Sequence, residues 1–154
     1  MFTIDASVHL NALNPAENGS PESQALLERV FRRPWLVFSP TLLLVEVAAA
    51  VARTFDDAER GLALAQAVRD LPGQIWVPLD EALAEEAARL AAQHQTRGAD
   101  AVYAAVARRY GAALVSRDRQ QLRRLRPALP VLTPAEALAR IATWPCPLCG
   151  QHAV

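Results

Sequence analysis

The chain of 154 residues contains no Lys: all sixteen of its bases are Arg, set against sixteen acids for a formal net charge of zero. That absence argues against several phosphate and carbonyl chemistries. A Walker A loop places a Lys on the nucleotide phosphates, and a Schiff-base enzyme needs a Lys amine. Phosphotransfer receivers and haloacid-type phosphatases commonly neutralise an aspartyl phosphate with one. Glycine is scarce too: the six residues Gly19, Gly61, Gly73, Gly98, Gly111 and Gly150 are never two apart, so no GxGxxG dinucleotide loop can be written. Long apolar runs are missing. The most apolar window, Thr41 to Ala52, is interrupted by Glu46 and is too short to span a bilayer. The opening MFTIDAS lacks the basic and then apolar pattern of a secretory signal. The expectation is a soluble, cytoplasmic protein without a membrane partner.

What is present points to a packed domain. An apolar content of 52% argues against disorder, and the length fits one compact core. Short β-type runs alternate with longer Ala- and Leu-rich helical runs, a pattern that predicts an α/β fold with a parallel sheet covered on both faces. Strands are expected at residues 2–4, 35–38, 74–77 and 112–115, with an edge strand at Val131-Leu132. Ser7 is expected to cap the first helix, over 8–13, and Pro21 to start the second, which Pro34 ends. Pro40 should open the helix carrying Glu46, and a further helix covers about 56–71. Asp80 caps a helix to about Gln95, Gly98 breaks the chain, and the next helix ends near Tyr110 at Gly111. A short helix over 119–125 follows, and Thr133-Pro134-Ala135-Glu136 matches a capping box for a final helix to about Ala142. The division expected is a domain over 1–142 and a C-terminal tail over 143–154.

The acids fall in informative places. Asp5 follows the first strand, where open α/β sheets place their ligands, although an Asp there also serves as a helix cap. Asp118 follows the fourth strand in the same way, with Ser116 two residues earlier. Asp100 sits in the first turn of its helix, where the helix dipole alone would favour it. Glu46 is different, because its neighbours Leu42 to Val45 and Val47 to Val51 are all apolar. Buried without a partner, its charge would cost several kcal/mol or raise its pKa, so it requires a cation, a hydrogen-bond donor or a solvent-filled cleft. Two carboxylates about 4 Å apart repel by roughly 4 kcal/mol at an effective dielectric near 20. Four converging acids would therefore need protons or cations. Hard divalent ions such as Mg²⁺ or Mn²⁺ take oxygen ligands, activate water and stabilise the leaving oxygen in phosphodiester hydrolysis.

The segments Ile4-Asp5-Ala6-Ser7-Val8, Ser39 through Glu46-Val47 to Arg53, Ala99-Asp100-Ala101-Val102-Tyr103 to Ala107, and Leu114-Val115-Ser116-Arg117-Asp118 resemble the four acidic blocks of PIN domains. They are most similar to those of VapC-type toxin ribonucleases from toxin-antitoxin pairs. The resemblance runs over about residues 1–135, with the blocks in order and correctly spaced. It implies a three-layer α/β/α fold with a central parallel sheet of four or five strands, and a Mg²⁺- or Mn²⁺-dependent endoribonuclease. It also implies homodimerisation and inhibition by a cognate VapB-type antitoxin. Position by position, Asp5, Glu46, Asp100 and Asp118 become the acidic metal site. Ser116 stands where the family usually has Thr and would orient Asp118 or a water, and Ser7 plays a lesser polar role toward the substrate. Many relatives carry another acid a few residues after the fourth; this chain has Gln120-Gln121, which leaves a second metal position open. The alternative is a PIN-like module that binds RNA or protein without cutting.

Arg117, Arg119, Arg123, Arg124 and Arg126 place five guanidinium groups in ten residues beside Asp118. Arg binds phosphate bidentately, so Arg117 and Arg119 are candidate RNA contacts, against the plainer reading of a solvated helix face. His9 and His94 show no ligand spacing, and Trp35 and Trp76 fall where core packing is expected. Both cysteines lie in the tail, in Cys146-Pro147-Leu148-Cys149-Gly150-Gln151-His152. Three candidate ligands do not complete a structural zinc site, so a free dithiol, an incomplete metal site and a redox-labile disulfide all stay open.

Overall fold

The computed structural model describes residues 1–32 and 35–143. The strands β1 (Phe2–Ile4), β2 (Val37–Pro40), β3 (Gln74–Val77), β4 (Ala113–Val115) and β5 (Val131–Leu132) form one sheet in the order β3-β2-β1-β4-β5. Every pairing is parallel, with Phe2 opposite both Val37 and Ala113. The helices are α1 (Ala6–Ala12), α2 (Ser20–Arg32), α3 (Leu42–Phe55), α4 (Ala58–Arg69), α5 (Glu81–His94), α6 (Gly98–Arg109), α7 (Arg119–Leu125) and α8 (Pro134–Thr143). Strand alternation sorts the core into two layers. Phe2, Ile4, Val37, Ala113 and Val115 face Leu26 and Val30 of α2 and Ala137 and Ile141 of α8. Phe38, Val77 and Leu114 face the other way, into a cluster with Leu43 and Val47 of α3, Leu83 and Leu90 of α5, and the small residues Ala101 to Ala107 of α6. The result is the expected three-layer α/β/α arrangement with five strands.

The chain order places a topological switch between β1 and β4. β1 is followed by a connection to β2 on one side, whereas β4 arrives on the other, so the carboxyl ends of these two strands open a crevice. Asp5 leaves β1 there, its amide bonded to the Val115 carbonyl at 2.9 Å, and Ser116 to Asp118 leave β4 beside it.

Several local expectations are corrected. Asp5, not Ser7, caps α1: its carboxylate accepts from the Ser7 amide at 2.9 Å. β2 starts two residues later than expected, because Trp35 leaves the ladder to pack its ring 5.6 Å from Phe2. Pro40 ends β2 in register with Val77, and α3 begins at Leu42. The break before α6 is made by Gln95, which takes a left-handed conformation (φ 49°), while Gly98 is the first residue of the helix. The capping box holds in both directions: Glu136 N donates to Thr133 Oγ1 at 3.2 Å, and Thr133 N donates to Glu136 Oε2 at 2.7 Å. The helix stop at Pro34 and the tail with Cys146, Cys149 and His152 lie outside the described residues.

Candidate active site

Four elements carry the four acids to one place. Asp5 caps α1 at the end of β1, Glu46 lies on α3, Asp100 in the first turn of α6, and Asp118 caps α7 after β4. All four line one cavity of about 550 Å³, together with Ser7, Leu10, Arg53, Arg97 and Gln121. Asp5 and Asp100 are each only 6% exposed.

Each carboxylate is held by identifiable donors. Gln121, 1% exposed, bridges two of them, its Nε2 donating to Asp5 Oδ2 at 2.9 Å and to Asp100 Oδ1 at 2.8 Å. Its Oε1 has no hydrogen-bond partner among the described residues. The opposite amide orientation would set that oxygen against two carboxylates, so the orphaned acceptor follows from satisfying both acids. Arg97 joins the other pair: its Nε donates to Asp100 Oδ2 at 3.0 Å, and its Nη2 donates to Asp118 Oδ2. Thr96 Oγ1 adds a donor to Asp100 Oδ2 at 3.3 Å. The second Asp118 oxygen accepts from the backbone of Gln120 at 2.6 Å and Gln121 at 3.3 Å, as a helix cap should. Glu46 receives the phenol of Tyr103 at 2.6 Å. A hydrogen-bond donor and an open cleft thus answer the question that its apolar neighbours raised.

The electrostatics reflect crowding. Burial pushes the Asp5 carboxyl above its ordinary value, hydrogen bonds from Ser7 and Gln121 oppose the rise, and the charge of Asp100 adds to it. Glu46 is pushed up by burial and by the charges of Asp5 and Asp100, against the Tyr103 hydrogen bond and the Arg97 charge. For Asp118 burial is outweighed by the Gln120 and Gln121 amides and by Arg97, which together hold it low. Tyr103 is pushed well up by burial and by the charges of Asp5 and Glu46, so it remains a phenol and a donor.

The two serines act on the backbone. Ser116 Oγ accepts from the Asp118 amide at 3.0 Å and fixes the turn that presents this acid. Ser7 Oγ accepts from the Arg117 amide at 3.1 Å, tying the exits of β1 and β4 together. Arg117 directs its guanidinium to the Asn18 carbonyl in the α1–α2 loop, and neither it nor the exposed Arg119 lines the cavity. Arg53 and Arg97 do. Sequence reasoning missed Arg97, Tyr103 and Gln121 as partners of the acids and Arg53 as a residue of the cavity wall. The available signals were an Arg three residues before Asp100, a Tyr three residues after it, and a Gln where many relatives carry an acid. His9 is a packing residue: it is buried, 6.4 Å from the Phe31 ring, and burial lowers its pKa to about 4.

An all-oxygen donor set suits a hard divalent cation. As the side chains stand, no three His, Cys, Asp or Glu side chains among the described residues are grouped to hold one. The positions between the acids are taken by the guanidinium of Arg97 and the amide of Gln121, which are the cation-like groups such a cluster requires. The residues fit a hard cation in their chemistry, provided Arg97 gives way.

A family model described as the PIN domain matches residues 2–126. This chain belongs to the PIN domain family. Solved structures agree on the fold. FitAcB from Neisseria gonorrhoeae superposes with a TM-score of 0.65 at 21% identity, over 88% of this chain and 99% of that one. Mycobacterium tuberculosis VapC20, described as a Sarcin-Ricin loop cleaving toxin, gives a TM-score of 0.65 at 19% identity, over 80% of this chain and 94% of that one. VapBC2 from Rickettsia felis, solved with a fragment of promoter DNA, gives 0.63 at 14% identity, over 86% and 97%. No curated protein matches the chain in sequence. No helix among the described residues of this PIN domain is long and apolar enough to cross a membrane.

Proposed function

We propose that this PIN domain is a divalent-metal-dependent endoribonuclease acting as the toxin of a toxin-antitoxin pair. The observation that carries the reading is the convergence of Asp5, Glu46, Asp100 and Asp118 on one cavity at the carboxyl ends of β1 and β4. These four would hold Mg²⁺ or Mn²⁺. When bound, such an ion lowers the pKa of water and stabilises the leaving oxygen of a phosphodiester. The chain's own groups prepare the site: Tyr103 aims Glu46, Ser116 fixes the Asp118 turn, and Gln121 holds Asp5 and Asp100 at a set separation. Arg53 and Arg97 on the cavity wall, with Arg119 beside Asp118, are the cations available to an entering strand. Products with a 5′-phosphate and a 3′-hydroxyl are expected.

The antitoxin needs an apolar seat. A groove of about 370 Å³ between α3 and α4, lined by Leu13, Val51, Phe55, Leu64 and Ala67 with Arg60 at its rim, exposes Leu13 and Phe55 to solvent. The apolar face of a partner helix would cover them, on the same helix α3 that carries Glu46 and Arg53 to the acidic cavity. A non-catalytic PIN module is the competing reading, favoured by the fact that Arg97 and Gln121 already satisfy the acids. The deciding experiment incubates RNA with purified protein in Mn²⁺ or in EDTA. Cleavage that requires the ion supports the nuclease, and no cleavage with no ion binding by calorimetry supports the alternative.

A further inference from the structure

Arg97 holds an unusual position. It occupies the N-cap position of α6 without making a side-chain cap bond, and its side chain reaches across the cavity mouth to two acids from different elements. The side chain is 62% exposed, whereas the carboxylates it joins are 8% and 25% exposed. Its hydrogen bond to Asp100 is the first cause holding its guanidinium charged, and Asp118 adds to it.

We infer that Arg97 is a displaceable internal counter-ion of the acidic site, and that on metal entry it turns to the phosphate backbone of the RNA. The inference rests on the metal-dependent reading above. Asp100 Oδ2 and Asp118 Oδ2, the atoms that Arg97 occupies, belong to two of the four acids in that reading, so the guanidinium and a divalent ion compete for them. The acids are largely buried, but the guanidinium that joins them stands mostly in solvent on a long side chain, so screening weakens its hold and a dication competes with it. Release does not disturb the core, since only the side chain leaves and the extended N-cap backbone (φ −67°, ψ 152°) stays. A guanidinium cannot lose its proton, so a displaced Arg97 needs another anion. The anion that substrate brings to the cavity mouth is a phosphodiester, which a guanidinium takes with two parallel hydrogen bonds. The other arginines named in the phosphate reading are less suited to this exchange: Arg117 is bonded to the Asn18 carbonyl, Arg119 does not line the cavity, and Arg53 lines it but, among the described residues, is not ion-paired to Asp100 or Asp118 and so is not released by a metal ion.

The test measures binding of a short phosphorothioate oligoadenylate to wild type and Arg97→Gln by fluorescence anisotropy, in EDTA and in saturating Mg²⁺. In EDTA the two proteins are expected to bind alike, because Arg97 is engaged with Asp100 and Asp118. In Mg²⁺ the variant should bind roughly tenfold more weakly, the equivalent of one charge-assisted hydrogen-bonded contact. An equal loss in both buffers, or no loss in Mg²⁺, overturns the inference. A parallel Mg²⁺ titration follows the Arg97 Nε–Hε resonance of the wild type by NMR. Movement with the same midpoint as calorimetric Mg²⁺ binding supports displacement. Ion binding with an unmoved resonance overturns this inference alone, and no ion binding overturns the metal-dependent reading with it.

Discussion

Tyr103 donates its phenolic hydrogen to Glu46 at 2.6 Å, joining the buried face of α6 to α3 across the acidic cavity. Tyr103 is fully buried while Glu46 is half-buried, so the bond ties a partly exposed acid to a residue fixed in the core. Because this bond opposes the upward push on the Glu46 carboxyl, its loss should raise that group further. Tyr103→Phe is expected to cost about 1 kcal/mol of stability and to reduce cleavage roughly tenfold, as removal of outer partners of a metal site does. The acid limb of the pH–rate profile should move to higher pH. Urea melts and initial rates check this, and an unchanged profile with unchanged rate would show that Glu46 needs no such anchor.

Gln121→Leu removes both hydrogen bonds to Asp5 and Asp100 at similar volume. Metal-free stability should fall by about 2 kcal/mol, since two buried acids lose a donor. Mn²⁺ should then raise the melting temperature of the variant more than that of wild type, because the ion replaces a compensation the variant lacks. Differential scanning calorimetry with and without Mn²⁺ measures both effects.

His9 gives a pH dependence of stability whose sign follows from burial. Its pKa falls from 6.5 to about 4 in the folded protein, where Nε2 also lacks a hydrogen-bond partner among the described residues. The unfolded chain therefore binds the proton first as the pH drops. The contribution of His9 is complete above pH 6.5 and is lost progressively toward pH 4, by about 3 kcal/mol in all. His9→Leu should remove this loss, so its stability advantage over wild type should be larger at pH 5 than at pH 7.5. Urea melts at the two pH values supply the comparison.

Gly61 allows α4 to approach α3. A Cβ at this position would stand 2.6 Å from the Ala48 carbonyl oxygen and 3.1 Å from the Ala52 Cβ. Gly61→Ala is expected to destabilise the fold by about 1–3 kcal/mol, although Ala is the better helix former. It should also weaken antitoxin binding, since the groove between these helices changes width. Chemical denaturation and a pull-down with the cognate antitoxin check the two effects.

Much of this was legible in the chain because strands, caps and helix stops are local. The strand positions other than that of β2, the Asp80 cap and the Thr133–Glu136 box follow from residues at most a few positions apart. The order of the four acids was legible as a pattern, and Glu46 in particular as an acid needing a partner. The partners themselves were not. Gln121 and Asp5 are 116 residues apart, and Tyr103 and Glu46 are 57, so only the tertiary fold, with α7 packed on β5 and α6 packed against β1, β2 and β4, brings them together. The same reason explains the exchange at the first helix, where the Asp5 cap displaced Ser7 and left its hydroxyl free to receive the amide of Arg117. Arg117 looked like a phosphate contact because it adjoins Asp118, but the α1–α2 loop supplies a carbonyl within its reach.

If Asp5, Glu46, Asp100 and Asp118 make one catalytic site, RNA cleavage depends on each of them. Wild type, Asp5→Asn and Asp100→Asn are incubated with RNA in Mn²⁺, after circular dichroism has shown that all three are folded. Wild type is expected to cleave, and each variant to lose at least about 100-fold in rate, as direct ligands to a catalytic ion would. Equal cleavage by all three proteins would contradict the assignment.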